Sequence, residues 1–112
     1  MAQSVIKDLM SDSRPVSATV NNIIAETART FGVPQNDIIS KKKDAKTARA
    51  RQIAIYVVRE MTDLTQKEIS EYFGGRDRTT ILYSVETVAK DCEKDSMLKR
   101  TIDIIMKNVQ EQ

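Results

Sequence analysis

Residues 74–80 read GGRDRTT, a stretch that combines a glycine turn with two cations, a carboxylate and two hydroxyl groups. Arginine can donate two hydrogen bonds to one guanine edge, and the methyl group of threonine packs against that of thymine. If Asp77 caps a helix, Arg78 and Thr79 fall in its first turn, where unpaired backbone N–H groups favour a phosphate. This spacing suits the recognition of a nucleic acid, and Asp77 can also accept from a cytosine amino group.

A run of basic side chains lies upstream of this stretch. Residues 41–60 contain seven basic residues against Asp44 and Glu60, whereas the rest of the chain carries a net charge of −3. One basic segment on a mildly acidic body suits a phosphate backbone or an anionic membrane surface. A solvated charged loop without a partner is the alternative at this point.

The residue types that most enzymes need are missing from the sequence. It has no histidine and one cysteine, Cys92, so zinc clusters, Cys–His pairs and Ser–His–Asp triads cannot form. Neither GxxxxGK[ST] nor GxGxxG, the glycine-rich patterns that hold phosphates, occurs. We therefore expect no catalytic activity, no metal and no cofactor. The single cysteine fits a protein of the reducing cytoplasm.

Apolar residues three and four positions apart predict helices throughout residues 14–112, and hence a compact all-α domain of about five to six helices. Ser17 is the expected N-cap of the first helix, and Gly32 is its expected end. Residues 1–13 are expected to be a linker or the tail of an upstream module. The expected helices cover 17–31, 47–61, 65–73, 77–90 and 96–109, with a short turn over 34–39.

The expected helix over 47–61 has two unlike sides. Apolar residues at helical spacing predict a buried stripe, and basic residues fall mostly off it, so core and positive charge occupy opposite faces. The stripe consists of Ile53, Ala54, Val57, Val58 and Met61. The basic residues are Arg49, Arg51 and Arg59.

The clearest helix start in the sequence is at Thr65. Thr65 and Glu68 form a T-x-x-E capping box, and Leu64 and Ile69 occupy the positions of a hydrophobic staple. Two glycines at 74–75 separate this helix from the next, which is a helix-turn-helix arrangement whose second helix can lie in a DNA major groove. A packing hairpin without DNA binding is the alternative. The expected inward residues of the second helix are Ile81, Leu82, Val85, Val88 and Ala89.

The stretch RARQIAIYVVREMTDLTQKEISEYFGGRDRTTILYSVETV resembles the C-terminal DNA-binding domain (domain IV) of the bacterial replication initiator DnaA. In that family an A-R-Q-[IM]-A helix precedes a helix-turn-helix that closes with F-G-G-R-D-H-T-T. The upstream RPVSATVNNIIAETARTFGVPQNDIISKKK is similar to the family's first helix and basic loop, so the resemblance covers residues 14–90. It implies sequence-specific binding of double-stranded DNA at replication-origin initiator elements, as a monomer, in the cytoplasm at the nucleoid.

The resemblance also implies a role for each matching residue, with every role taken from the family. Lys43 matches a position whose side chain enters a minor groove. Positions that meet bases or phosphates in the neighbouring major groove are Arg76, Asp77, Thr79 and Thr80, with Arg78 between them. Positions on the basic helix that hold phosphates are Arg51, Gln52 and Arg59. Positions at the start of the scaffold helix, beside the duplex, are Gln66 and Lys67.

Two residues depart from the family pattern. The family usually has histidine where this chain has Arg78, and it favours arginine where this chain has Lys43. Arg78 is longer and permanently charged, so it can read guanine or bind a phosphate. Lys43 keeps the charge but lacks the planar fork that suits a narrow A·T groove. We expect the fold and binding mode to persist while the base preference shifts at one or two positions.

A second hypothesis treats the chain as a helical interaction module whose basic helix binds an acidic protein or an anionic lipid surface. The resemblance also allows acidic phospholipids and regulatory proteins as further partners of a DNA-binding domain. Affinity that depends on base sequence at fixed salt separates the two hypotheses. Whether the chain is a fragment of a longer ATP-binding initiator or a stand-alone protein stays open, as does whether Tyr83 contacts the duplex or lies at the rim of the core.

Overall fold

The computed structural model describes residues 15–111, whose regular structure consists of six helices and no strand. The predicted all-α class with a helix-turn-helix is confirmed, and the tail expected over 1–13 lies outside the described residues. No helix within 15–111 has the length and apolar content needed to cross a membrane. The helices are α1 (Val16–Phe31), α2 (Gln35–Ile38), α3 (Ala45–Met61), α4 (Gln66–Tyr72), α5 (Arg78–Lys94) and α6 (Ser96–Gln110).

The central element is α3, which contacts all five of the other helices. Four of the five residues of its predicted stripe are fully buried, and Met61 is half-buried. The buried surface is wider than predicted, because a helix with neighbours on several sides must be apolar on more than one face. Ile55 is buried outside the predicted stripe. The expectation that Arg51 lies on an outward basic face is wrong, since only 5 % of this residue is exposed.

Two long helices complete the core beside α3. On α1, Val20, Ile23, Ile24 and Ala28 are buried at helical spacing, whereas Phe31 is half-buried. On α6, Ile102, Ile105 and Val109 are buried at helical spacing, and Leu98 and Met106 are half-buried beside them. The two helices also contact each other. Each fully buried isoleucine or valine stabilises the fold by about 1.5–3 kcal/mol relative to an exposed one.

Two expectations about individual residues are wrong. Ser17 does not cap α1, because the helix starts one residue earlier and Pro15 occupies the N-cap position. Its carbonyl accepts from Ala18 and Thr19, and proline suits a helix start since it has no N–H to leave unpaired. Leu82 is 41 % exposed rather than buried, because the core side of α5 runs through Ile81 and Val88.

The predicted start of α4 is confirmed in detail. The Thr65 backbone N–H donates to Glu68 Oε1 at 2.8 Å, and the Glu68 N–H donates to Thr65 Oγ1 at 3.2 Å. The staple residues behave unequally, since Ile69 is fully buried and Leu64 is half-buried. The N-terminal end of α4 is therefore fixed by its own side chains.

The turn between α4 and α5 depends on two glycines in the left-handed region. Gly74 has φ 83° and Gly75 has φ 74°. A Cβ on Gly74 would lie 2.7 Å from the backbone oxygen of Ile39, whereas a Cβ on Gly75 would meet nothing within 4 Å. Gly74 is thus needed for its conformation and for the close approach of the segment after α2, and Gly75 is needed for its conformation alone.

The two glycines form a matched pair for measuring that close approach. Gly75→Ala should destabilise the fold by about 1–2 kcal/mol, the cost of the left-handed conformation for a residue with a Cβ. Gly74→Ala should cost clearly more, because its methyl group also collides with the carbonyl of Ile39. Urea unfolding followed by helical circular dichroism measures both free energies. Equal losses would show that the close approach contributes nothing to stability.

Candidate nucleic-acid interface

The first turn of α5 is exposed and capped. Asp77 is its N-cap, and Asp77 Oδ1 accepts from the Thr79 backbone N–H at 3.4 Å. Arg78, Thr79 and Thr80 are all exposed, while the next residue, Ile81, is buried against the core. The helix therefore presents a cation and two hydroxyl groups from the end where free backbone N–H groups favour anions.

A loop of residues 39–44, here called the basic loop, connects α2 to α3 and contains three consecutive lysines. Lys42 is paired, because its Nζ lies 3.2 Å from Asp37 Oδ2 and 3.9 Å from Asp44 Oδ1. Lys41 and Lys43 are exposed and make no ion pair with any residue in the range 15–111. Two of the three lysine charges are therefore available to a ligand.

One solvent-facing cleft of about 270 Å³ joins the basic loop to the start of α5. The sequence did not single out Lys41, and its only signal there was membership of the same basic run. Since cations from the loop and the N-terminal end of a helix share this cleft, it suits a phosphate group or a base edge. The residues that line it are Lys41, Lys43, Gly74, Gly75, Arg76, Asp77 and Thr80.

Arg76 ties the turn to the basic loop. Its Nη2 donates to the Ser40 carbonyl at 2.6 Å, and its Nε is buried without a hydrogen-bond partner among the described residues. The Arg76 carbonyl in turn accepts from the Ser70 hydroxyl. The guanidinium is thus partly committed to the fold, and only part of its surface faces the cleft.

Arg51 is further from solvent than any other predicted site residue. Its Nε donates to the Ile38 carbonyl at 2.6 Å, and its Nη2 donates to the Asp37 carbonyl at 2.7 Å. Burial lowers the pKa of Arg51 from its ordinary value, and the neighbouring Arg76 cation lowers it further. The structure therefore places this guanidinium against the end of α2, next to the start of the basic loop, where it donates to backbone carbonyls.

The remaining predicted residues lie near the C-terminal end of α3, at the start of α4 and on the flank of α3. Arg59 and Lys67 are exposed and Gln66 is half-buried. Arg59 lines a cleft of about 400 Å³ with the residues that lead into α4, up to Thr65. Gln52 is half-buried, and its Oε1 accepts from Arg49 Nη1 at 3.3 Å. Arg59 lines this separate cleft, Gln66 and Lys67 begin α4, and Gln52 lies on the flank of α3. None of the four lines the cleft at the start of α5.

Two other residues considered in the sequence analysis, Tyr83 and Cys92, differ in their exposure to solvent. Tyr83 is 62 % exposed and lies one turn beyond Thr79, so it extends the exposed face of α5 rather than the core. Cys92 is half-buried, and burial raises the pKa of its thiol. A thiol with a raised pKa is mostly protonated near neutral pH and is a poor nucleophile.

Two helices joined by a tight turn, with the exposed start of the second beside a loop of free cations, define a helix-turn-helix DNA-binding domain. Comparison with known families gives the same class. The family model described as the bacterial dnaA protein helix-turn-helix matches residues 20–88. The chain therefore belongs to this DnaA helix-turn-helix family, and the predicted resemblance is confirmed.

Individual relatives agree with the family. The chain is 36 % identical over 110 residues to the chromosomal replication initiator protein DnaA of Thermodesulfovibrio yellowstonii. These aligned residues cover 97 % of this chain and 25 % of that protein. It is 38 % identical over 106 residues to the protein of the same name from Paraburkholderia xenovorans, with 94 % of this chain and 19 % of the relative covered. The chain thus spans a quarter or less of these two relatives.

A solved structure supports the fold. The crystal structure of a DNA replication initiation factor superposes with a TM-score of 0.75 over 84 % of this chain and 29 % of that chain. The sequence identity of the pair is 24 %, so the match is evidence for the shared fold.

The N-cap of α3 gives a pH-dependent test of how the basic loop ends. Asp44 Oδ2 accepts from the Thr47 N–H at 3.1 Å and from Thr47 Oγ1 at 3.0 Å, and these bonds hold the pKa of Asp44 below its ordinary value of 3.8. Because the folded state favours the charged carboxylate, the stabilisation is present above the unfolded pKa and is lost as pH falls through the lower folded pKa. Asp44→Asn keeps a capping oxygen and removes the charge.

We therefore expect the wild-type chain to melt at a higher temperature than Asp44→Asn at pH 7, with the difference shrinking as the pH falls below 3.8. Thermal melts of both proteins at a series of pH values measure this difference. A difference of the same size at every pH would mean that the charge of Asp44 plays no part in the cap.

Proposed function

We propose that the chain binds double-stranded DNA in a sequence-specific manner at replication-origin initiator elements, and so acts in the initiation of replication. The observation that carries the proposal is the cleft in which Lys41 and Lys43 meet the exposed start of α5. The relatives named chromosomal replication initiator proteins supply the biological setting. The domain would act as a monomer in the cytoplasm, at the nucleoid.

The binding mode follows from the two elements at the cleft. The first turn of α5 would enter the major groove, where Arg78 and Thr79 reach base edges and Asp77 and Thr80 lie beside bases or phosphates. The basic loop would lie over the neighbouring minor groove, with Lys43 as the side chain that enters it. Since both elements line one cleft, a single rigid domain can engage two adjacent grooves at once.

Phosphate contacts would set the register of the domain on the duplex. Arg59 and Lys67 are exposed and make no ion pair within residues 15–111, so their charges are available to the backbone. Gln52 and Gln66 can add neutral hydrogen bonds, and Arg76 can add a charge from the edge of the cleft. Such contacts fix orientation and carry no base information, which leaves the reading to α5 and the basic loop.

The base preference should differ in detail from that of relatives with the usual family pattern. Arg78 stands where the family usually has histidine, and it is exposed without any ion pair in the described range. A free guanidinium in the first turn of α5 is suited to guanine O6 and N7. Selection of binding sites from a random duplex library should return a preference that departs from the family's usual element at one or two positions.

Fluorescence anisotropy with an initiator-type duplex and a scrambled duplex tests the proposal directly. For a domain that makes about six phosphate contacts, raising the salt concentration from about 50 to 200 mM should lower the affinity by roughly three decades. At fixed salt, the initiator-type duplex should bind more tightly than the scrambled one. Equal binding to both duplexes and to anionic vesicles would overturn the proposal in favour of a general acidic-surface module.

Residue roles can be separated by comparing Thr79→Ala with Arg59→Ala. Thr79→Ala should cost about 1–3 kcal/mol on the preferred duplex and relax specificity at one position, because it removes a base contact. Arg59→Ala should weaken all duplexes alike and reduce the slope of log affinity against log salt by about one unit, because it removes a phosphate contact. A change of base preference in Arg59→Ala, with the slope intact, would contradict the phosphate role.

A further inference from the structure

We propose that Arg51 is a positioning residue that holds the basic loop at a fixed distance from α5, so that DNA specificity depends on it without any contact between Arg51 and DNA. The inference rests on the proposed function for its consequence in DNA reading. Its structural half, the attachment of the loop, stands on the geometry of the free protein.

The attachment consists of hydrogen bonds from two arginines to the backbone that leads into the basic loop. Arg51 donates to the carbonyls of Asp37 and Ile38, at 2.7 and 2.6 Å. Arg76 donates to the carbonyl of Ser40, at 2.6 Å. The backbone on both sides of Ile39 is therefore held from below by α3 and from the side by the turn before α5.

The turn before α5 is held by its own contacts. Ser70, on α4, donates its hydroxyl proton to the Arg76 carbonyl. The Ile39 carbonyl lies so close to Gly74 that a Cβ on Gly74 would be 2.7 Å from the Ile39 oxygen. The loop and the turn are thus packed backbone against backbone. A shift of Ser40 relative to the turn would break its bond to Arg76, and a shift of the end of α2, from which the loop leaves, would break the bonds to Arg51.

The chemistry of arginine suits this role better than a phosphate contact at position 51. Nε and Nη2 of one planar guanidinium satisfy two adjacent carbonyls, which the single ammonium of lysine cannot do with the same geometry. With 5 % of the residue exposed and both Nε and Nη2 donating to carbonyls, this cation is not open to a phosphate in the free protein. Arg59, eight residues along the same helix, is exposed and offers the matched case of a cation free to meet the backbone of DNA.

The consequence concerns the distance between the two reading elements. Lys43, on the basic loop, and the first turn of α5 would enter adjacent grooves, whose separation is a property of the duplex. A loop that is free to drift can still attract phosphate, but its base contacts lose their register. Arg51 should therefore affect the base pairs read by the loop and leave those read by α5 nearly unchanged.

Arg51→Lys tests this inference, because it retains the charge and removes the fork. The base pairs read by the loop are first defined as those whose preference changes in Lys43→Ala, and those read by α5 as those that change in Thr79→Ala. A single mismatched base pair in a specific site weakens binding by about fivefold or more. In Arg51→Lys that penalty should fall to about twofold at the loop-read pairs and persist at the α5-read pairs, with the salt slope unchanged.

Arg59→Lys is the comparison variant for a phosphate contact. Its overall affinity can fall, but it should keep both mismatch penalties, because phosphate contacts carry no base information. If Arg51 instead binds phosphate, Arg51→Lys will resemble Arg59→Lys, with both penalties intact, and the inference will be overturned. Loss of both penalties together in a folded Arg51→Lys protein, as judged by its circular dichroism and melting temperature, would also overturn it.

A measurement on the wild-type chain covers the case in which Arg51→Lys does not fold. In the free protein, NMR should show slow exchange of the Arg51 Nε proton and a coupling across its hydrogen bond to the Ile38 carbonyl carbon. Both signals should survive the addition of duplex. Fast exchange, or loss of the coupling when DNA binds, would overturn the inference. A chain that bound no DNA would refute the proposed function, and the NMR result on the free protein would still decide the attachment.

Discussion

The arrangement of the interface depends on three backbone carbonyls, two at the end of α2 and one in the basic loop, that accept hydrogen bonds from guanidinium groups. Asp37 and Ile38 end the four-residue helix α2, and Ser40 lies in the basic loop. Arg51 donates to the carbonyls of Asp37 and Ile38, and Arg76 donates to that of Ser40. The Asp37 carbonyl also accepts from the Ser40 N–H and hydroxyl. Buried carbonyls must be paired, so the fold requires donors at these points. Arginine supplies them from α3 and from the turn before α5, and in doing so brings together segments that are far apart in the chain.

This solution has an electrostatic cost. Two guanidinium groups lie near a loop of three lysines, and the Arg76 cation lowers the pKa of Arg51. Carbonyl dipoles and the carboxylates of Asp37 and Asp44 offset part of the repulsion, because both carboxylates act on Arg51 in the opposite sense. The charges of Lys41 and Lys43, which form no ion pair within the described range, line the cleft, which is where a polyanion would relieve the repulsion.

Local signals in the sequence predicted most of the fold, and tertiary contacts decided the rest. The capping box at Thr65 and the cap at Asp77 depend on residues within one turn, so pattern reading located both helix starts. The burial of Arg51 depends on carbonyls 13 and 14 residues away meeting one face of α3, which periodicity does not encode. Lys41 and Lys42 are identical in sequence terms, and only the position of neighbouring carboxylates makes the second of them paired.

In the capped first turn of α5, the residues that we propose to contact DNA are distinct from those that stabilise the fold. Arg78, Thr79 and Thr80 are exposed, and none of their side chains forms a hydrogen bond or ion pair with another residue in the described range. Surface positions of this kind tolerate substitution with little change in stability. A substitution at position 78, such as Arg78 in place of the histidine of the usual family pattern, should therefore leave the stability of the fold nearly unchanged. The base preference of the domain could therefore change during evolution while the core that supports these exposed residues stays the same.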